Sequence, residues 1–133
     1  VDNLPALAQQ ALRQRVNAWR SLKIEVPVDE FVLQYGEVFK RVAVDVLRST
    51  PQECFANAAR LAMKNEHYDY TEGYACSYNI GYPFLHAWIT YDGEVIDNTL
   101  EKPRCYAYIG IRFNQLFMME QLAKYKVFGI LGG

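Results

Sequence analysis

"PFLHAWITYDGEVIDNTL", Pro83 to Leu100, is the stretch on which the fold turns. Apolar residues run up to Asp92-Gly93 and resume after it, and that dipeptide is a strong signal for a two-residue hairpin turn. The reading is a strand over 83–91, two turn residues, and a returning strand over 94–100. Such a turn pairs Tyr91 with Glu94. Counting back, Trp88 faces Asp97 and His86 faces Thr99. Asp97 is then the diagonal neighbour of His86 on one face, about 7–8 Å away by backbone. Asn98 points to the other face. A β-bulge would shift this count and bring Asn98 in place of Asp97.

Outward from the hairpin, Tyr68, Tyr70, Tyr74, Cys76 and Tyr78 alternate as a strand does. A fourth strand is expected over 105–109. On the N-terminal side the period changes to a helical one. Leu4, Leu7, Ala8, Ala11, Leu12, Val16 and Trp19 form one stripe, with Asn3 as cap and Pro5 in the first turn. A second helix is expected after Pro27, with a stripe from Phe31 to Leu47. Ser49, Thr50 and Pro51 break it, and a third helix runs to about Asn65. Asn114 can cap a last helix through Lys124, with a short strand over 127–131 to follow. The plan is α+β, with N-terminal helices packed on a mostly antiparallel sheet. One domain is expected over 1–133, with a helical part over 1–66, a sheet part over 67–112, and a C-terminal helix and strand over 113–133.

The composition excludes several classes. The chain has 133 residues, 51% of them apolar, so it can bury a core without staples. A net charge of −1 without a dense Lys/Arg stretch gives no nucleic-acid footprint. Cys54, Cys76 and Cys105 are odd in number and lack CxxC spacing, which argues against a disulfide framework or a four-ligand zinc site. Reduced thiols point to a cytoplasmic protein. Neither a signal-peptide pattern nor an apolar run of membrane length is present, so no membrane association is expected. No cofactor is called for. A beginning at Val1 rather than Met leaves room for residues upstream.

Chemistry enters with "TPQECFANAARLA", Thr50 to Ala62. Thr50, Pro51 and Glu53 fit a capping box, which places Cys54 in the first or second helical turn. There the helix dipole favours an anion, and free backbone N–H groups can hold an oxyanion. Glu53 opposes a thiolate. Two readings of Cys54 stand side by side: a nucleophile, or a small buried apolar residue sharing a face with Ala58, Leu61 and Ala62. A base within reach would decide for the first. His67 lies in a polar connection. His86 lies in an apolar strand, where it is either a satisfied core residue or that base. Asp97 on the same face could hold one imidazole nitrogen and leave the other free. Cys54, His86 and Asp97 thus supply nucleophile, base and orienter.

Helix-start Cys, strand His and next-strand acid, in that order, resemble the papain-like superfamily, and most closely its transglutaminase-like branch. The motifs are His86-Ala87-Trp88 in a "HAW" context, Asp97-Asn98-Thr99 as "D-x-T", and "YTEGYA", Tyr70 to Ala75, as the strand before the hairpin. Small bacterial and phage-associated proteins are similar in their "EGYA…HAW…VID.T" pattern. The likeness covers about Thr50 to Leu100. It implies a papain-like core and acyl transfer through a thioester, as in peptide cleavage, amide hydrolysis, deamidation or cross-linking. A hydrolase acting on a peptide or other amide substrate is the leading expectation. The His86–Asp97 interval is shorter than in larger relatives. A papain-type oxyanion glutamine well upstream of the cysteine is lacking; Gln52 is the nearest amide and Gln34 lies on the preceding helix.

Other residues carry paired readings. Gln52 is a second oxyanion donor or a solvated first-turn residue. Glu72 is hydrogen-bonded structure among tyrosines or part of a substrate pocket. Trp88 shields the ion pair and borders the substrate, or is core. Tyr106, Tyr108, Met118 and Met119 read as packing, and Cys76 and Cys105 as bystanders. A Cys54–His86–Asp97 metal site has acceptable ligand types but ranks below nucleophilic catalysis. The rival from a different class is a non-catalytic binding or structural module that keeps this fold.

Overall fold

The computed structural model describes residues 4–43, 46–126 and 128–131. Asn3, the expected first cap, lies outside them, as do Val127 and residues 44–45. A short 3-10 turn, Leu4–Ala6, leads into α1, Leu7–Ser21, and α2 is Pro27–Tyr35. Two short strands follow, β1 at Glu37–Phe39 and β2 at Arg41–Val42. Then come α3 at Cys54–Ala62, β3 at Asp69–Ser77, β4 at Pro83–Tyr91, β5 at Glu94–Ile96, β6 at Tyr106–Phe113 and α4 at Gln115–Tyr125. The architecture is α+β.

The hairpin forms in the expected register. Asp92 and Gly93 both have positive φ, 52° and 72°, and Tyr91 pairs with Glu94. The returning strand is shorter than expected, because β5 stops at Ile96. Asp97 Oδ1 accepts the backbone N–H groups of Thr99 and Leu100, at 2.9 and 3.2 Å. This side-chain turn takes the backbone out of the ladder. The fourth strand is longer than expected, running through Phe113 where its pairing with β3 ends.

The expected second helix is corrected at Tyr35. Gly36 takes extended geometry, and a Cβ there would sit 2.4 Å from the Val32 carbonyl oxygen. The chain then pairs β1 with β6 and β2 with β5, so two edge strands fall inside the expected helical part. Leu47, read as the end of the helical stripe, is exposed. The expected C-terminal strand is also corrected, since residues 128–131 form bends.

The six-stranded sheet has the order β1-β6-β3-β4-β5-β2, antiparallel except for β2 and β5. Its two edge strands are separated in sequence only by Lys40, so the sheet curls until it is nearly closed. The inner face shows this directly. Phe39, Val42, Ala75, Trp88, Val95 and Tyr108 pack together, one from each strand. Helices cover the outer face. α1 and α2 pack over Tyr74, Cys76, Ala107 and Ile109. α3 and α4 pack over Tyr70, Ala87 and Ile89. Arg15 of α1 pins the first pair, bonding Asp29 of α2 at 2.9 Å and the Pro83 carbonyl at 2.7 Å. Asn114 caps α4 as expected, its Oδ1 accepting from Phe117 N at 2.8 Å. Met118 is buried beneath α4, while Met119 is exposed and not core.

Gly73 in "EGYA" has a specific job. It stands between His86 and Gly110 in the sheet, and a Cβ there would meet the Ile109 carbonyl oxygen at 2.0 Å. That obstacle is backbone and cannot swing aside. Gly73→Ala is therefore expected to destabilise the protein by about 1–3 kcal/mol, read as a fall in the urea midpoint. An unchanged midpoint would show that β3 and β6 do not approach this closely.

Candidate active site

The first turn of α3 differs from a capping box. Thr50, Pro51 and Gln52 form a turn, Glu53 is the N-cap without a side-chain cap bond, and Cys54 is the first helical residue. The Cys54 N–H therefore has no intrahelical acceptor. Gln52 is exposed, with a left-handed φ of 67°. Among the described hydrogen bonds its amide makes none.

His86 and Asp97 meet on the inner face, as the hairpin register requires. His86 Nε2 lies 2.8 Å from Asp97 Oδ2, and each residue is only 2% exposed. β4 has no β5 partner from Pro83 to Trp88, because β5 has already ended. The N-terminal end of α3 lies at that gap. Asn57 Nδ2 donates to the Thr99 hydroxyl at 3.0 Å and to the Thr50 carbonyl at 2.6 Å. Asn98 points away from the inner face and donates to the Asn57 carbonyl at 3.3 Å. Asn57 thus ties the cysteine helix to the Asp97-Asn98-Thr99 segment.

The electrostatics follow from this arrangement. Burial pulls the His86 pKa down, but hydrogen bonds with Asp97 and Cys54 and the charges of both outweigh it, and the net value rises to about 9. The thiol is therefore within interaction range of the imidazole. Aligned hydrogen-bond geometry joins His86 to Asp97. With Nε2 committed to Asp97, Nδ1 is the nitrogen left for the thiol. Burial works to raise Asp97, yet His86, the Thr99 N–H and the Tyr108 hydroxyl together hold it below the ordinary carboxylate range.

Tyr108, read from the sequence as packing, belongs to the site. Its hydroxyl donates to Asp97 Oδ2 at 2.8 Å. Period-two alternation placed it on a strand as packing, but could not reveal a partner across the sheet. Asn57 had no sequence signal beyond its place in a helix. Tyr108→Phe is expected to lower stability by about 1.5–3 kcal/mol, the usual contribution of a hydrogen bond to a charged group. Chemical denaturation measures this, and an unchanged midpoint would mean the hydroxyl does not serve Asp97.

Glu72 and Trp88 are placed differently from their substrate readings. Glu72 lies on the outer face, opposite to His86, and is fully buried. It accepts from the Tyr70 hydroxyl and from the backbone N–H groups of Ile130 and Leu131, the latter at 2.8 Å. Burial raises its pKa against these bonds. Its role here is to fasten the C-terminal segment. Trp88 has no exposed surface. It stacks on His86 at 6.2 Å between centroids and meets Tyr108 edge-on at 4.9 Å, so it walls the ion pair and does not border a cleft. Cys76 is buried and Cys105 exposed, both free. Among the described residues no cluster of His, Cys, Asp or Glu is arranged to hold a metal ion, and no helix is long and apolar enough to cross a membrane.

Two grooves flank the segment after β5. Asp97 lies in the wall of one of about 400 Å³, and Asn98 in the wall of another of about 630 Å³. Ala43, Val46 and Arg48 border both. No family model, curated protein or solved structure matches the chain.

Proposed function

We propose that the protein is a cysteine-dependent acyl-transfer enzyme, a hydrolase of peptide or other amide bonds, with a papain-like or transglutaminase-like core. The observation that carries this reading is the buried His86–Asp97 pair at 2.8 Å, with Cys54 at the start of α3 among the groups that act on the imidazole. In the proposed step the Cys54 sulfur attacks a carbonyl carbon and a C–S bond forms. The oxyanion is held by the Cys54 N–H, with Gln52 as the adjacent candidate for a second donor. The imidazolium gives its proton to the leaving amine, and the C–N bond breaks. Water then attacks the thioester, His86 takes a proton from it, and the acid and free Cys54 are released.

The near-complete burial of the pair, with Cys54 9% exposed, favours a second reading, a non-catalytic module retaining the site. Thiol chemistry separates the two without a known substrate. p-Nitrophenyl acetate should leave an acetyl group on Cys54, found by peptide mass spectrometry, and none on that peptide in His86→Ala. Iodoacetamide should alkylate Cys54 faster than Cys105 at pH 7, and that advantage should disappear in His86→Ala. If Cys105 reacts while Cys54 stays silent at every pH, the protein is the module and not the enzyme.

A further inference from the structure

We infer that the substrate is an acidic polypeptide, seated in the groove of about 630 Å³ that runs along α3. This rests on the acyl-transfer reading and adds the chemistry of the chain that carries the reacting carbonyl.

The groove begins about one helical turn beyond Cys54, at Asn57. Asn57, Leu61 and Lys64 line it, and they stand three, seven and ten positions after Cys54. That spacing places all of them on one stripe of the helix and its exit turn. An extended chain lying in the groove would run from the Cys54 end of α3 towards Lys64.

The charge is one-sided. Arg48, Arg60 and Lys64 line the groove, and no carboxylate is among its described lining residues. None of the three takes part in an ion pair among the described residues. The chain as a whole is slightly acidic, at −1, so this concentration of unpaired cations is local. Such a patch steers and selects an anionic partner.

The floor argues for a polypeptide over a nucleic acid. It combines apolar Leu61 with the amides of Asn57 and Asn98. Asn57 Oδ1 is buried and has no hydrogen-bond partner, although the residue is only 1% exposed. A buried, unmatched acceptor is costly to maintain. The apolar Val46, Leu61 and Ile96 of the groove offer side chains of a bound polypeptide a dry wall to pack against.

The test is binding by the Cys54→Ser variant, which removes turnover from the measurement. A fluorescein-labelled peptide of alternating Glu and Gly should raise its anisotropy on titration, with an affinity that falls as salt is added. The Gln-for-Glu peptide should bind at least about tenfold more weakly. The double reversal Arg60→Glu with Lys64→Glu should cost a similar factor, while Lys23→Glu with Lys124→Glu, away from the groove, should not. Circular dichroism confirms that each variant is folded. Equal binding of the two peptides, or indifference to the groove reversal, would overturn the inference. So would tighter binding of a single-stranded oligonucleotide of equal charge. If the acidic peptide binds as expected but wild-type protein never forms an acyl adduct, the enzyme reading fails and the binding site stands. If adducts form and the acidic peptide does not bind, only the present inference fails.

Discussion

Asp97→Asn is expected to lower acyl transfer by about 10⁴-fold, the usual effect of disturbing the acid of a triad, while Asn98→Ala changes it by no more than a few-fold. Asparagine is the closest replacement in shape, yet it cannot fill this site. Asp97 accepts from four donors: Thr99 N–H and Leu100 N–H on Oδ1, and His86 Nε2 and the Tyr108 hydroxyl on Oδ2. An amide has one acceptor oxygen. Either the turn or the imidazole must then face an NH₂ group, and His86 loses its tautomer if the oxygen goes to the turn. The same argument predicts a stability loss of about 1–3 kcal/mol for Asp97→Asn, and more for Asp97→Ala, which leaves every donor orphaned. Asn98 makes one long side-chain bond, to the Asn57 carbonyl. Its bond with Ser49 uses the backbone carbonyl and survives substitution. The measurement is acetyl-adduct formation on Cys54 with p-nitrophenyl acetate, beside a urea melt of each variant. A larger kinetic loss in Asn98→Ala than in Asp97→Asn would mean that Asp97 is not the orienter.

This contrast was readable in the sequence because a two-residue turn fixes parity. Once Asp92 and Gly93 are the turn, every residue on 83–91 has an assigned face, and Asp97 shares the inner one with His86. The diagonal contact then needs no further information. The end of β5 was not readable, since the Asx turn at Asp97 competes with the ladder only once the carboxylate is held in place. Nor were β1 and β2. Strands of three and two residues are too short to show period two, and Val38, Phe39, Val42 and Val46 also fit a helical stripe. Gly36 was the available signal. Its extended conformation and its tight contact with Val32 end the helix where tertiary pairing with β6 can take over. Tyr108 and Asn57 depend on contacts across 11 and 42 positions, which local patterning cannot carry. The cysteine helix was legible as a helix, but where it packs depends on the bonds of Asn57 to Thr99 and Asn98, which local patterning cannot carry.

The buried pair should also make stability fall on the alkaline side, well before ordinary lysine titration. His86 titrates at about 9 in the folded protein, against an ordinary value near 6.5. Burial alone would have moved it the other way. Asp97 and Cys54 supply the bonds and charges that reverse the sign, while the Tyr108 hydroxyl completes the Asp97 side. A group whose folded pKa is raised stabilises the fold fully below its unfolded pKa and loses that contribution as pH rises through the folded value. The window is therefore about pH 6.5 to 9. The contribution at its plateau is about 3 kcal/mol, from roughly 1.4 kcal/mol per pKa unit. Asp97 acts in the opposite direction. Its folded pKa is depressed, so its contribution is present above about pH 3.9 and is lost as pH falls through the folded value. Between the two windows the pair is charged and the fold is at its firmest. Urea midpoints from pH 6 to 10 should fall by the equivalent of about 3 kcal/mol in wild-type protein, and His86→Gln should lack that component. The difference between the two curves removes the background from exposed tyrosines and lysines. Parallel curves would mean that His86 is neutral at pH 7, and the thiol would then lack its imidazolium partner in the resting protein.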